Sequence, residues 1–207
     1  MISRLPFATP FVYSTQGVSE ASKNSRKFRD RIKGNDDRLF EQIAEHVEQL
    51  AAAGAFPQFF GLNVVLVPVP GHAPLAPGAV STAERIATAL AGHGLGTVSR
   101  VLTRTRKVTK SAWAKGPDRP RAKEHFDTIT MEQSLIKPQR IVLIDDFVTR
   151  GSTFLGAASR MQNEIADADI KAFALVRSIT TGEIDAIRDP VTGILELTSD
   201  GESRRRP

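Results

Sequence analysis

Ile141-Val142-Leu143-Ile144-Asp145-Asp146-Phe147-Val148-Thr149-Arg150-Gly151-Ser152-Thr153 reads as a buried strand, two carboxylates, a hydroxyl-rich loop with one glycine, and the start of a helix. Four consecutive apolar residues, mostly β-branched, suit a parallel strand covered on both faces. The continuation Phe154-Leu155-Gly156-Ala157-Ala158-Ser159-Arg160-Met161 suits a helix packed back on that sheet. The loop between them therefore lies at the carboxyl end of a strand and the amino end of a helix. Open α/β sheets bind ligands at that place, and the free N–H groups of the helix favour a phosphate.

The side chains narrow the ligand. Gly151 lets the backbone turn and approach a ligand closely. Thr149, Ser152 and Thr153 offer hydroxyl donors to an anion. Asp145 and Asp146, when ionised, only accept hydrogen bonds, so they suit sugar hydroxyls or a metal with its waters. Together these groups describe a ribose phosphate. Taken singly, each residue also fits a capped strand–helix turn with one structural Asp.

Outward from this stretch, the pattern alternates strand and helix. Met1 to roughly Asn35 reads as irregular, with a basic cluster at Lys23, Arg26, Lys27, Arg29, Arg31 and Lys33, suggesting an arm or an insertion over the site. Asp36 or Asp37 caps a helix through about Ala53, with Leu39, Phe40, Ile43, Val47 and Leu50 on one face and Gly54 as its stop. Leu62–Val69 reads as a second buried strand, closed by the turn Pro68-Val69-Pro70-Gly71-His72. Ser81 and Glu84 form a capping box for a helix to about Ala91, which Gly92 and Gly94 end. Thr97–Thr103 and Lys171–Val176 read as further strands, and Leu135–Arg140 leads into the 141–144 run. The expected fold is α/β with a central, mostly parallel sheet flanked by helices. The expected division is an extension over residues 1–60 with one amphipathic helix, an α/β domain over 61–200, and a disordered basic tail over 201–207.

Composition sets outer limits. The 207 residues suffice for one sizeable core. There are no cysteines, which excludes disulfides and cysteine-ligated zinc. His46, His72, His93 and His125 lack metal-ligand spacing. The N-terminus lacks the apolar run of a signal peptide, and no stretch suits a membrane span, so the expected location is the cytoplasm and a membrane is not an expected partner. A net charge of +5 suits anionic ligands, nucleic acid included. There is neither a Gly-x-x-x-x-Gly-Lys-Ser/Thr loop nor a Gly-x-Ser-x-Gly elbow.

The apolar run, Asp145-Asp146, two apolar residues and Thr149-Arg150-Gly151-Ser152-Thr153 resemble the phosphoribosyl pyrophosphate (PRPP) signature of type I phosphoribosyltransferases. The resemblance implies that fold, with an N-terminal extension or hood. It implies that Asp145 and Asp146 hold ribose hydroxyls, and that Phe147, Val148, Thr149, Arg150, Gly151, Ser152 and Thr153 bind the ribose 5-phosphate. The paired Val-Pro-Val-Pro looks more weakly like the ComF-like branch. The chain departs from that branch in lacking a cysteine zinc module and the Arg-Gly-Phe-Asn-Gln stretch expected after Val-Pro-Val-Pro.

By the same resemblance, the turn after an early strand holds pyrophosphate, which places Gly71, His72 and Ala73 there. A plain Pro/Gly turn is the alternative. Between Arg100 and Lys123 the chain carries nine cations and one acid, Asp118. A long basic loop in a compact domain is uncommon unless it is functional. In the resembling family, such a loop closes over the site and brings basic side chains to the leaving pyrophosphate, here Lys107 and Lys110. The implied activity transfers a 5-phosphoribosyl group from magnesium–PRPP to a nitrogen nucleophile, a base or an amine, releasing pyrophosphate. Magnesium is the implied cofactor, with no direct protein ligand assigned. The partners are PRPP, a nitrogenous acceptor and, as an open option, a second copy of the chain in a homodimer. A different class of protein fits the same residues: a non-catalytic PRPP or nucleotide sensor that binds nucleic acid or a protein, with Trp113 available for stacking.

Overall fold

The run 141–148 forms the middle of a sheet because both of its faces are covered. In the computed structural model, which describes residues 1–109, 120–132, 140–180 and 182–206, β6 (Arg140–Val148) lies between β2 (Val65–Pro68) and β7 (Asp169–Ile179), parallel to both. Strand side chains alternate in direction. Ile141 and Leu143 accordingly enter one core, while Val142 and Ile144 enter the other. A fully apolar run is what such a two-sided environment selects.

The remaining strands are β1 (Arg4–Ser14), β3 (Thr97–Val98), β8 (Arg188–Leu197) and β9 (Ser203–Arg206). They complete a seven-stranded sheet in the order β3-β2-β6-β7-β1-β8-β9. From β3 to β1 every pairing is parallel, whereas β8 and β9 pair antiparallel at one edge. Helices α1 (Glu20–Lys33), α2 (Asp37–Ala52) and α3 (Thr82–Gly92) bury Ile32, Phe40, Val47 and Ile86 in the core on one face. Helices α4 (Ala122–Thr128) and α5 (Ser152–Glu164) bury Ala122, Phe154, Leu155 and Met161 on the other. A small antiparallel pair, β4 (Leu102–Arg104) with β5 (Ile129–Met131), lies beside α4. Among the described residues, no helix is long and apolar enough to cross a membrane.

Local signals set the helix starts as expected. The Asp36 side chain accepts from Leu39 N at 3.1 Å, and Ser81 Oγ accepts from Glu84 N at 3.1 Å. Each satisfies a donor that the first turn would otherwise leave open.

The two ends of the chain differ from expectation. Residues 4–14 are an interior strand of the main sheet, not an irregular arm. Pro6 and Pro10 hide it in the sequence, since proline breaks ladder bonding. The register between β1 and β8 shifts between Thr9 and Phe11, so Pro10 falls at the irregularity, where a missing N–H is tolerated. The basic cluster at 23–33 lies on α1, which Ser19 caps by accepting from Ser22 N at 3.1 Å. Residues 203–206 are not a loose tail but the edge strand β9, where repeated arginine is a common guard against further pairing. The 62–69 strand is shorter than expected because it starts at Val65, while Leu62 is 87% exposed. The stretch 97–103 is split between β3 and β4. Of Leu135–Arg140, only Arg140 is among the described residues; it opens β6.

Candidate functional site

Asp145 and Asp146 lie near the carboxyl end of β6, still in register with β7, where Asp145 pairs with Ala174. Asp145 Oδ1 accepts the backbone N–H of Asp146 at 2.8 Å. Burial pushes the Asp145 carboxyl well above the ordinary carboxylate range, and the adjacent Asp146 charge adds to the rise. Asp146, only 9% exposed, accepts a short hydrogen bond from Lys33 Nζ at the end of α1. The same ammonium sits 4.9 Å from the Phe147 ring centre. Asp145 thus favours its neutral form, and a cation or hydrogen-bond donor placed beside it would favour the charged one.

The loop after β6 turns into α5 through Gly151, whose φ of 91° lies in the left-handed region. A Cβ there would meet Leu195 Cδ1 and Cδ2 at 2.7 Å, so Gly151 is required by packing on β8 as well as by its dihedral. Glycine has no side chain to cap α5, and none does so. The first-turn N–H groups are therefore open to an anion, unlike those of the capped α1, α2 and α3.

Each loop hydroxyl has a protein neighbour. Ser178 Oγ donates to Thr149 Oγ1 at 2.9 Å, Ser152 Oγ and Ser203 Oγ share a short contact, and Thr153 Oγ1 lies 3.4 Å from His125 Nε2. Because Thr149 already accepts, its own proton is available to a ligand. Two guanidiniums flank the loop: Arg150 and Arg121 pair with the two oxygens of Glu202 at 3.1 and 3.4 Å. Two cations on one carboxylate leave net positive charge beside the loop.

These groups line two adjoining cavities. Phe147 to Thr153, with Asp145 and Arg121, line one of about 80 Å³. Asp145, Asp146, Thr153 and Lys33 line an open cavity of about 660 Å³, together with Gly71, His72 and Ala73. Asp145 and Thr153 belong to both. The 71–73 turn is therefore on the same hollow as the acid pair, although it precedes that pair by some 70 residues in the chain. Val108 N donates to His72 O at 2.8 Å and ties the following segment to that turn.

The basic segment after β4 divides. Arg104 is not a loop cation: it is 5% exposed and donates from Nε to Gly71 O at 2.8 Å. Burial lowers its guanidinium to about 10, so it stays charged at neutral pH, held up by the Asp145 charge. His125, at the other end, is 3% exposed within α4. Neither end of the 104–125 stretch is loose. Lys107 is exposed, while Lys110 and Trp113 lie outside the described residues. Among the described residues, no three His, Cys, Asp or Glu side chains gather as a metal cage.

Lys33, Arg121, Arg104 and His125 belong to the site although the sequence did not place them there. The first three were visible only as members of basic clusters. No signal in the chain shows that His125 faces Thr153, since that contact depends on α4 packing against α5. No protein family and no curated protein matches the chain significantly.

Proposed function

We propose that the chain is a type I phosphoribosyltransferase: it binds magnesium–PRPP and transfers the 5-phosphoribosyl group to a nitrogen nucleophile, releasing pyrophosphate. One observation carries this reading. The acid pair and the uncapped hydroxyl loop, and the 71–73 turn some 70 residues before them in sequence, line two cavities that meet at Asp145 and Thr153. This arrangement offers acceptors for ribose hydroxyls between two places suited to anions, which is the charge pattern of PRPP.

In this assignment the 5-phosphate sits on the N–H groups of α5 and the hydroxyls of Thr149, Ser152 and Thr153. The ribose hydroxyls donate to Asp145 and Asp146. Pyrophosphate lies by Gly71, His72 and Ala73. Holding both ends of the donor fixes C1 for attack by the acceptor nitrogen. As the C1–O bond breaks, its electron pair goes to pyrophosphate, and nearby cations stabilise that charge. Lys107, on the segment tied to His72, and Lys110 are assigned this role.

A carboxyl with raised proton affinity beside a second carboxylate fits a divalent cation that keeps several waters and takes few protein ligands. Asp145 and Asp146 would face such an ion, which when bound supplies charge neutralisation for the phosphates. The nucleic-acid-sensor reading is less favoured. Several cations of α1 and β9 pair within the chain: Lys23 with Glu20, Arg29 with Asp30, Arg31 with Asp36, and Arg206 with Glu196.

The test is pyrophosphate release from PRPP across a panel of purine, pyrimidine and amine acceptors. Acceptor-dependent release supports the enzyme. Tight PRPP binding without release on any acceptor, accompanied by salt-sensitive RNA or DNA binding, supports the sensor.

A further inference from the structure

Thr153 stands at the end of a polar chain that begins at the Pro70–Gly71 turn. Arg104 on β4 donates from Nε to Gly71 O at 2.8 Å, from Nη2 to Pro70 O at 3.2 Å and from Nη1 to Thr128 Oγ1 at 2.5 Å. Its Nη2 also lies 3.2 Å from His125 Nδ1. A guanidinium has donors only, so Nδ1 must accept. In a neutral ring the single proton then sits on Nε2, which faces Thr153 Oγ1 at 3.4 Å. With a donor on that side, Thr153 accepts, and its own hydrogen is left for whatever occupies the cavities it lines. The contact is long for an N–H···O bond, so it orients more than it binds.

The sequence builds this contact through Gly156. A Cβ at that position would lie 2.5 Å from His125 Cβ and 2.7 Å from Ala122 O, so only glycine lets α4 come this close to α5. Burial, with the Arg104 charge alongside, lowers His125 to about 3 and keeps it neutral.

We propose that Arg104 and His125 are positioning residues: together they fix the Nε2–H tautomer of His125 and present the Thr153 hydroxyl as a donor to the ligand's phosphate. The identity of that ligand rests on the PRPP reading. The relay itself requires only an anion at the loop.

The test has two parts on the full chain. Nitrogen-15 NMR of the imidazoles reads the tautomer without any ligand: the Nε2–H form is expected, and the Nδ1–H form or an imidazolium at neutral pH overturns the relay. Calorimetry with ribose 5-phosphate then compares wild type, His125→Asn, Thr153→Val and the double variant. Asparagine can still accept from Arg104 but is too short to reach Thr153. His125→Asn is expected to weaken ribose 5-phosphate about tenfold, the effect of one oriented hydrogen bond, and to have almost no further effect in the Thr153→Val background. Equal losses in both backgrounds mean that His125 acts only through packing, and overturn the proposal. If wild type binds no ribose 5-phosphate, the PRPP reading fails, and the tautomer alone decides the relay.

Discussion

Gly151→Ala probes a position where the proposed phosphate and the packing make the same demand. In a plain phosphate loop a small side chain would hinder the ligand and leave the fold intact. Here Gly151 has a φ of 91°, and its Cβ would lie 2.7 Å from both terminal methyls of Leu195, which is fully buried. A left-handed dihedral costs a non-glycine residue roughly 1–2 kcal/mol. Forcing a methyl into a packed contact costs about 1–3 kcal/mol more. The expected loss is therefore roughly 2–5 kcal/mol, a large part of the 5–15 kcal/mol typical of a domain. At about 2–4 °C per kcal/mol for a chain of this size, the melting temperature should drop by roughly 4–20 °C. The packing share can be isolated. In a Leu195→Ala background the steric part vanishes, so Gly151→Ala should there cost only the dihedral share of about 1–2 kcal/mol. Urea unfolding of the parent, both single variants and the double variant measures this. A Gly151→Ala protein as stable as its parent, or one equally destabilised in both backgrounds, would refute the packing argument.

Other outcomes follow from the charges. His125 falls from the ordinary 6.5 to about 3, so the unfolded chain takes up a proton that the native state refuses, and stability is lost as pH falls through that window. His125→Gln should remove up to about 1.4 kcal/mol per pH unit from the slope of unfolding free energy at mildly acidic pH; an unchanged slope would mean that His125 is not buried neutral. Asp145 has the opposite sign: its raised carboxyl favours the native state at low pH, and that contribution is lost as pH rises through its folded value. Asp145→Asn should therefore melt higher than wild type at pH about 8, with the gap closing toward pH about 4; thermal scans at the two pH values check this. Lys33→Met removes the ammonium whose charge lowers the Asp145 carboxyl, so the carbon-13 carboxyl titration of Asp145 should move upward. A static midpoint would show that the Lys33–Asp146 pair does not form in solution.

Legibility in the sequence followed the range of the interactions. The 141–153 stretch was readable because strand, acid pair, glycine turn and helix start are all local features, each set by a few neighbouring residues. The Asp36 and Ser81 caps were readable for the same reason. The strand at 4–14 was not, because Pro6 and Pro10 argue against a strand locally, while pairing with β7 and a register shift opposite β8 decide otherwise. The arginines at 204–206 looked like a solvated tail until pairing with β8 gave their backbone partners. At the site, the hydroxyls and carboxylates could be named in advance, but their supports could not. Arg104 looked like one more cation in a basic run, yet its guanidinium is buried against the carbonyls of Pro70 and Gly71. Lys33 reaches Asp146 only because α1 folds across that end of the sheet.

The proposed role of Asp145 and Asp146 is to hold the ribose of PRPP beside a phosphate loop. Calorimetric titration of magnesium–PRPP into wild type and into the Asp145→Asn, Asp146→Asn double variant tests it most directly. Saturable binding to wild type and its loss in the double variant are expected, with the variant's circular dichroism unchanged. Equal affinity in the two proteins, or no binding to the folded wild type, would contradict it.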